Sequence, residues 1–245
     1  MINGKSVLAI IPARGGSKGL PGKNVVDLCG RPLMGWPIKA AKNSKYVDRV
    51  IVSTDNEEIA QIARKQGAEV PFLRPPELAL DISTTISVLN HAIAFTKREG
   101  LNYGYCLLLE PTSPLTESSD IDKALEKLDS NRDIASSIVG VSKIESTHPL
   151  FDVLINKKGL IKPYLGDDFS KVGRRQELSD LYFLEGSLYI ADTIVLLEKK
   201  SFYHDRTLPY IVPKWKSIEV DEILDLIFVE AIMKNIGKIE CDGAI

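Results

Sequence analysis

A short apolar run that opens directly into a glycine-rich, cationic loop constrains this chain more than any other feature. Val7–Ile11 reads as a buried strand, and Pro12-Ala-Arg-Gly-Gly-Ser-Lys-Gly-Leu-Pro-Gly-Lys-Asn24 follows it without a break. In open α/β sheets, ligands bind at the carboxyl ends of strands, where such loops begin. Gly15, Gly16, Gly19 and Gly22 let the backbone turn tightly, while Arg14, Lys18 and Lys23 place cations along the same stretch. Backbone N–H groups together with clustered cations make a cradle for a polyphosphate. The bland alternative is a surface loop with solvated charges, and the position directly after the first strand argues against it. Two better-known phosphate motifs do not fit. A P-loop would need Gly at Ser17 and Ser or Thr at Asn24, and no G-x-G-x-x-G is present.

The rest of the chain alternates short apolar runs with helix-like stretches, the pattern of βαβ units around a mostly parallel sheet. Strands are predicted at Arg49–Ser53, Tyr105–Leu109, Ile134–Val141, Leu188–Ala191 and Ser217–Asp221. Helices are predicted at Pro32–Asn43, Asn56–Gln66 (opened by the capping residues Thr54-Asp55-Asn56), Ser83–Glu99, Ser119–Asp129 and Glu222–Asn235. The last reads as amphipathic, with Ile223, Leu224, Ile227, Phe228, Ala231 and Ile232 inward. Between about 143 and 185 the rhythm changes to Gly, Pro, charge and a hairpin-like Asn156-Lys-Lys-Gly159. That stretch reads as an insertion in a single domain spanning 1–245.

Composition narrows the function classes. A formal net charge of -2 argues against bulk binding to nucleic acid or a charged membrane surface, so any anion site must be local. No stretch approaches the roughly 18 apolar residues of a membrane span. Cys29, Cys106 and Cys241 are far apart and odd in number, which predicts neither a disulfide framework nor a zinc site and suits a reducing cytoplasm. His91, His148 and His204 show no ligand-like spacing, and no nucleophile–base triad is visible.

Ile11 to Asn24 resembles the amino-terminal signature I-P-A-R-x-G-S-K-G-[LI]-x-x-K-N of the CMP-sialic acid synthetases, the acylneuraminate cytidylyltransferases. The resemblance extends over most of the chain. It implies a Rossmann-like nucleotidyltransferase sheet flanked by helices, with 143–185 as an inserted dimerisation segment. It also implies a homodimer, CTP and an acidic α-keto sugar as partners, and Mg²⁺ or Mn²⁺ as cofactor. On the loop, it implies that Arg14, Ser17, Lys18, Lys23 and Asn24 hold the nucleotide. Arg74-Pro-Pro-Glu-Leu-Ala-Leu-Asp81 with Ser83-Thr-Thr85 looks like the family's cytosine segment, which assigns Arg74, Ser83 and Thr85 to base and ribose. By itself Arg74 reads as a solvent-facing loop cation.

Leu108-Leu-Glu-Pro-Thr-Ser-Pro-Leu-Thr116 resembles L-L-Q-P-T-S-P-L-R, with Glu110 for Gln and Thr116 for Arg. The family's Gln faces the sugar. An ionised Glu only accepts hydrogen bonds whereas Gln also donates, so a sugar with an extra donor, or a related nonulosonate such as a legionaminic-type sugar, fits at least as well as N-acetylneuraminate. Arg174-Arg-Gln-Glu177, Tyr182 and Glu185-Gly-Ser-Leu-Tyr-Ile190 resemble R-R-Q-[DE]…Y-x-x-N-G-[AS]-x-Y, with Glu185 for Asn. This assigns Glu110, Arg174, Arg175, Gln176 and Tyr182 to the sugar, the guanidinium forks matching its carboxylate. Ser217-Ile-Glu-Val-Asp-Glu-Ile-Leu-Asp225 resembles the family's I-D-I-D segment. In a strand Glu219 and Asp221 share a face, and paired carboxylates there would hold Mg²⁺. The implied catalytic groups are Arg14, Lys23 and Arg175, with in-line attack on the α-phosphorus of CTP. Activation of an eight-carbon ulosonic acid, guanylyl or uridylyl transfer to a sugar phosphate, and a nucleotide-binding regulator with a degenerate site remain as alternatives.

Overall fold

The computed structural model describes the chain except residues 18, 145–147, 167, 170–177 and 243–245, and the side chains of 240–242. Strand β1 (Val7–Pro12) leads into the glycine-rich loop, a small hairpin of β2 (Asp27–Leu28) and β3 (Arg31–Pro32), and helix α1 (Gly35–Asn43). Then come β4 (Arg49–Ser53), α2 (Glu57–Lys65), α3 (Thr85–Arg98), β5 (Tyr105–Leu108), α4 (Ser118–Ser130) and β6 (Ser137–Lys143). β7 (Val153–Ile155) and β8 (Ile161–Pro163) form a separate two-stranded sheet. The chain finishes with β9 (Tyr182–Asp192), α5 (Thr193–Lys199), β10 (Thr207–Ile211), α6 (Ile223–Lys234) and α7 (Ile236–Asp242).

The main sheet has the order β10-β6-β9-β5-β1-β4. All its pairings are parallel except those of β9, which runs antiparallel to both β5 and β6. Both faces are covered, which is why its strands read as unbroken apolar runs. Val7, Ala9 and Ile11 of β1 pack with Ile38 of α1, Ile59 of α2 and Leu125 of α4. Leu8 and Ile10 pack on the other face with Leu89 and Ile93 of α3 and Leu196 of α5. β1 lies between β4 and β5, and the chain crosses it on passing from one to the other. The carboxyl end of β1 is therefore a topological switch point, and the glycine-rich loop starts there.

Two expectations are corrected. Ser217–Asp221 forms no strand; the bond from Val220 N–H to the Thr112 carbonyl, 2.8 Å, ties it to the loop after β5. Helix α6 exposes Ile223, Leu224, Ile227, Phe228 and Ala231 and buries Val229, with Leu226, Ile232 and Met233 packed inward. Its sequence is apolar on nearly every side, so periodicity could not choose the inner face. β10, α5 and α7 were not predicted, and β9 starts at Tyr182, inside the stretch read as an insertion. The Asn156–Gly159 turn does join a hairpin, β7 to β8. Among the described residues, no helix is long and apolar enough to cross a membrane.

Candidate active site

The loop after β1 is shaped by its own polar side chains. Asn24 is buried, and its amide donates to the Arg14 carbonyl at 2.8 Å, closing the loop on itself. The Gly15 N–H donates to Asp55 Oδ1 at 2.9 Å, fastening the loop to the end of β4. Gly22 has φ 66°, a left-handed conformation that costs a glycine little, and it starts the single helical turn carrying Lys23 and Asn24.

This loop meets the segment before α6. Lys23 Nζ donates to Asp221 Oδ1 at 2.8 Å. A Cβ added to Gly19 would lie 2.6 Å from the Asp221 carbonyl oxygen, so only glycine allows the two backbones this approach. Asp225 caps α6, accepting from the N–H groups of Asp221 and Glu222 at 2.9 Å each.

A cavity of about 510 Å³ opens between these parts. Arg14, Ser17, Lys23 and Asn24 line it from the loop, and Arg74, Ser83 and Thr85 from the connection between β4 and α3. Glu110 and Thr112, which follow β5, and Asp221 complete the set that concerns the chemistry. Arg14 Nη1 donates to Asp81 Oδ1 at 2.8 Å. The Ser83 hydroxyl donates to the Glu77 carbonyl at 2.8 Å. Arg74 corrects the reading of a solvent-facing cation. It is 5% exposed, with Nε donating to Ser53 Oγ at 3.1 Å and Nη2 to the Ser53 carbonyl.

Three carboxylates, of which Glu110 lines the cavity, are held in surroundings that disfavour their charge. Burial, and then the charge of Glu219, push Glu110 up to about 7 despite Lys23 and Arg74. Glu185, 1% exposed, also rises to about 7, chiefly by burial, although the hydroxyl and N–H of Ser187 both donate to its carboxylate. Its carboxylate lies where a Cβ at Gly140 would be, so the strand opposite needs glycine there. Glu219 is raised by burial and by Asp221, while a Gly186 N–H and the Thr112 hydroxyl, at 3.4 Å from Oε2, donate to it.

Glu219 and Asp221 offer hard oxygen donors in mutual repulsion, a set that fits Mg²⁺. Among the described residues no three His, Cys, Asp or Glu side chains gather into a metal-binding group. Two carboxylates suit Mg²⁺, which commonly takes its remaining ligands from water and substrate phosphate.

Most of the sequence-predicted site therefore converges. Ser17 joins the cavity wall, whereas Lys18, Arg174, Arg175 and Gln176 lie outside the described residues. Tyr182 is exposed at the start of β9 and does not line the cavity. Asp81 and Thr112 were missed as site residues; Thr112 sits two positions beyond Glu110 in a motif already singled out, which was the available signal.

Comparison with known proteins fits this arrangement. A family model described as cytidylyltransferase matches residues 8–235. The chain belongs to the cytidylyltransferase family. It is 36% identical over 230 residues to the CMP-N,N'-diacetyllegionaminic acid synthase of Legionella pneumophila, covering 93% of this chain and 96% of that protein. It is 30% identical over 228 residues to the pseudaminic acid cytidylyltransferase of Campylobacter jejuni, with 93% and 96% covered. In fold it is similar to a solved CMP:2-keto-3-deoxy-manno-octonic acid synthetase complexed with CTP, with a TM-score of 0.69 at 17% identity over 94% of this chain and 99% of that one.

Proposed function

We propose that the chain transfers the cytidylyl group of CTP to the anomeric hydroxyl of a nine-carbon acidic α-keto sugar, a nonulosonic acid, in the cytoplasm. The hydroxyl oxygen forms a bond to the α-phosphorus and loses its proton, while the bond to the bridging oxygen breaks and pyrophosphate leaves. One observation carries the reading: the cationic loop and Asp221 line a single cavity, joined by Lys23 and Asp221 at 2.8 Å, while Glu219 accepts from Thr112 of the same lining. The names of the relatives from Legionella and Campylobacter support the substrate class.

Such chemistry depends on positioning and charge neutralisation. Arg14, Ser17 and Lys23, with Lys18, are assigned to the nucleotide phosphates, and Asn24 to the nucleotide. Lys23 exchanges Asp221 for an α-phosphate oxygen. Arg74, held by Ser53, is assigned to the cytosine, and Ser83 and Thr85 to base and ribose. Glu219 and Asp221 would hold Mg²⁺, which when bound neutralises charge on the phosphates. Arg174, Arg175 and Gln176 are assigned to the sugar carboxylate by their motif.

A homodimer belongs to the same reading. Exposed apolar side chains cluster in sequence on β7 and β8 (Leu154, Ile155, Ile161), at the start of β9 (Phe183, Leu184) and on α6 (Ile227, Phe228). Exposed apolar side chains of this kind suit burial against a second copy. The test is to supply each nucleoside triphosphate with a panel of eight- and nine-carbon sugar acids and sugar phosphates, following pyrophosphate. Release with CTP and a nonulosonic acid is expected; release with a sugar phosphate alone refutes the proposal.

A further inference from the structure

We infer that Lys216 is a positioning residue: clasped by Glu117 and Asp120 at the start of α4, its ammonium sets where the segment bearing Glu219 and Asp221 lies against the loop after β5. The inference rests on the cytidylyltransferase reading of the cavity and concerns how the Asp221 side of that cavity is held.

Two segments that belong to no strand meet beside the cavity. Residues 109–117 lead from β5 to α4, and residues 217–222 lead from a single helical turn, Lys214–Lys216, to α6. Two rungs join them. The Val220 N–H donates to the Thr112 carbonyl at 2.8 Å. Further along the first segment and further back along the second, Lys216 Nζ donates to Glu117 Oε2 at 2.6 Å. The segments therefore run antiparallel, and the two rungs close a ring that fixes one against the other. Glu110 and Thr112 line the cavity from the first segment, and Asp221 lines it from the second.

Lys216 is firmly held at its end of this ring. It is 7% exposed, and its ammonium donates to Asp120 Oδ2 at 2.7 Å as well as to Glu117. Both carboxylates are fixed in turn, because they form the capping box of α4, with Asp120 Oδ2 accepting from the Glu117 N–H at 3.0 Å. The Tyr210 hydroxyl of β10 donates to the other oxygen, Asp120 Oδ1, at 3.0 Å. The clasp is thus anchored both in α4 and in an edge strand of the main sheet.

Stability alone does not account for such a group. Taking a lysine out of water is costly, and apolar side chains of similar volume in place of a buried ion pair are often neutral or stabilising. What the ion pair adds is direction. Val220 is buried with Leu28, Leu33 and Leu115, but apolar burial holds a segment down without fixing its place along its own length. An ammonium between two fixed carboxylates does fix it. Asp221 follows Val220 directly, pairs with Lys23 and lays its carbonyl against Gly19, so a displaced segment would carry it away from the cationic loop.

The experiment compares the full wild-type chain with Lys216→Met, which removes the charge and keeps an apolar stem, and with Lys216→Arg, which restores the charge. Tyr105→Phe, which loses a buried bond to Asp129, controls for lost stability alone. Two quantities are read well below every Tm: the Kd of CTP with Mg²⁺ by calorimetry, and hydrogen exchange at the Val220 amide in the free protein. Lys216→Met is expected to raise both by roughly tenfold or more with the β1 amides unchanged, Lys216→Arg to stay within about threefold of the wild type, and Tyr105→Phe to change neither. If Lys216→Met does not fold, its combination with Glu117→Gln and Asp120→Asn, which strands no charge, carries the same expectation. A lower Tm for Lys216→Met with Kd and Val220 exchange as in the wild type overturns the inference, and so does an equal rise in Kd in Tyr105→Phe. A wild type that binds no CTP with Mg²⁺ overturns the reading of the cavity, whereas firm CTP binding with Val220 exchange indifferent to Lys216 overturns the clasp alone.

Discussion

Glu185→Gln is expected to stabilise the metal-free protein at pH 8 and to do much less at pH 5. Glu185 is 1% exposed, and its value rises from 4.5 to about 7. The folded state therefore binds a proton more tightly than the unfolded chain. Stability falls as pH rises, from the unfolded value near 4.5 until it levels just above 7. Between pH 5 and pH 8 that linkage is worth about 2.5 kcal/mol if the full shift is realised. Water entry and relaxation around a buried carboxylate reduce it to about 1–2.5 kcal/mol. For a chain of this size each kcal/mol moves Tm by about 2–4 °C, so a gain of roughly 2–10 °C at pH 8 is expected. Gln keeps the volume and can still accept the Ser187 N–H. Thermal unfolding of both proteins in EDTA at the two pH values is the assay. An equal effect at pH 5 and pH 8, or a lower Tm for the variant at pH 8, would refute the electrostatic account of this residue.

Arg14→Ala should lower kcat/KM by about 10²–10³, as loss of a donor to developing charge does, while Tm stays within about 2 °C because its Asp81 pair is substantially exposed. Steady-state kinetics beside a melting curve separates the two effects. Gly19→Ala should weaken CTP binding at least tenfold, since the added methyl meets the Asp221 carbonyl at 2.6 Å; calorimetric titration checks it. Asp221→Asn should raise the Mg²⁺ concentration for half-maximal velocity at least tenfold with the fold unchanged by circular dichroism.

How much was legible beforehand varies with the kind of signal. Arg49–Ser53 was placed to the residue, and Asn56 caps α2 as expected, its side chain accepting from Ile59 N–H at 3.1 Å, because buried strands and caps announce themselves locally. The inner face of α6 was misread because its apolar residues leave no polar side to orient it. The burial of Arg74 was invisible, since it depends on Ser53, 21 positions away in sequence, meeting the guanidinium. The meeting of loop and carboxylates is a long-range contact, Lys23 to Asp221, that only family resemblance anticipated. The raised Glu110 and Glu185 needed the sheet: nothing in a local window reveals that two acids will be desolvated near a third.

The Lys23–Asp221 pair has a consequence for the order of events. Lys23 and Asp221 are paired with each other, and on the proposed reading the ammonium would otherwise meet a phosphate and the carboxylate a dication. Either newcomer arriving alone would leave one of these hosts stranded, so metal and triphosphate should enter as one charge-balanced complex and tighten each other. Calorimetry that finds CTP affinity indifferent to Mg²⁺ would contradict this. The pair is a rehearsal of the loaded site, with two of the chain's own side chains holding each other's places.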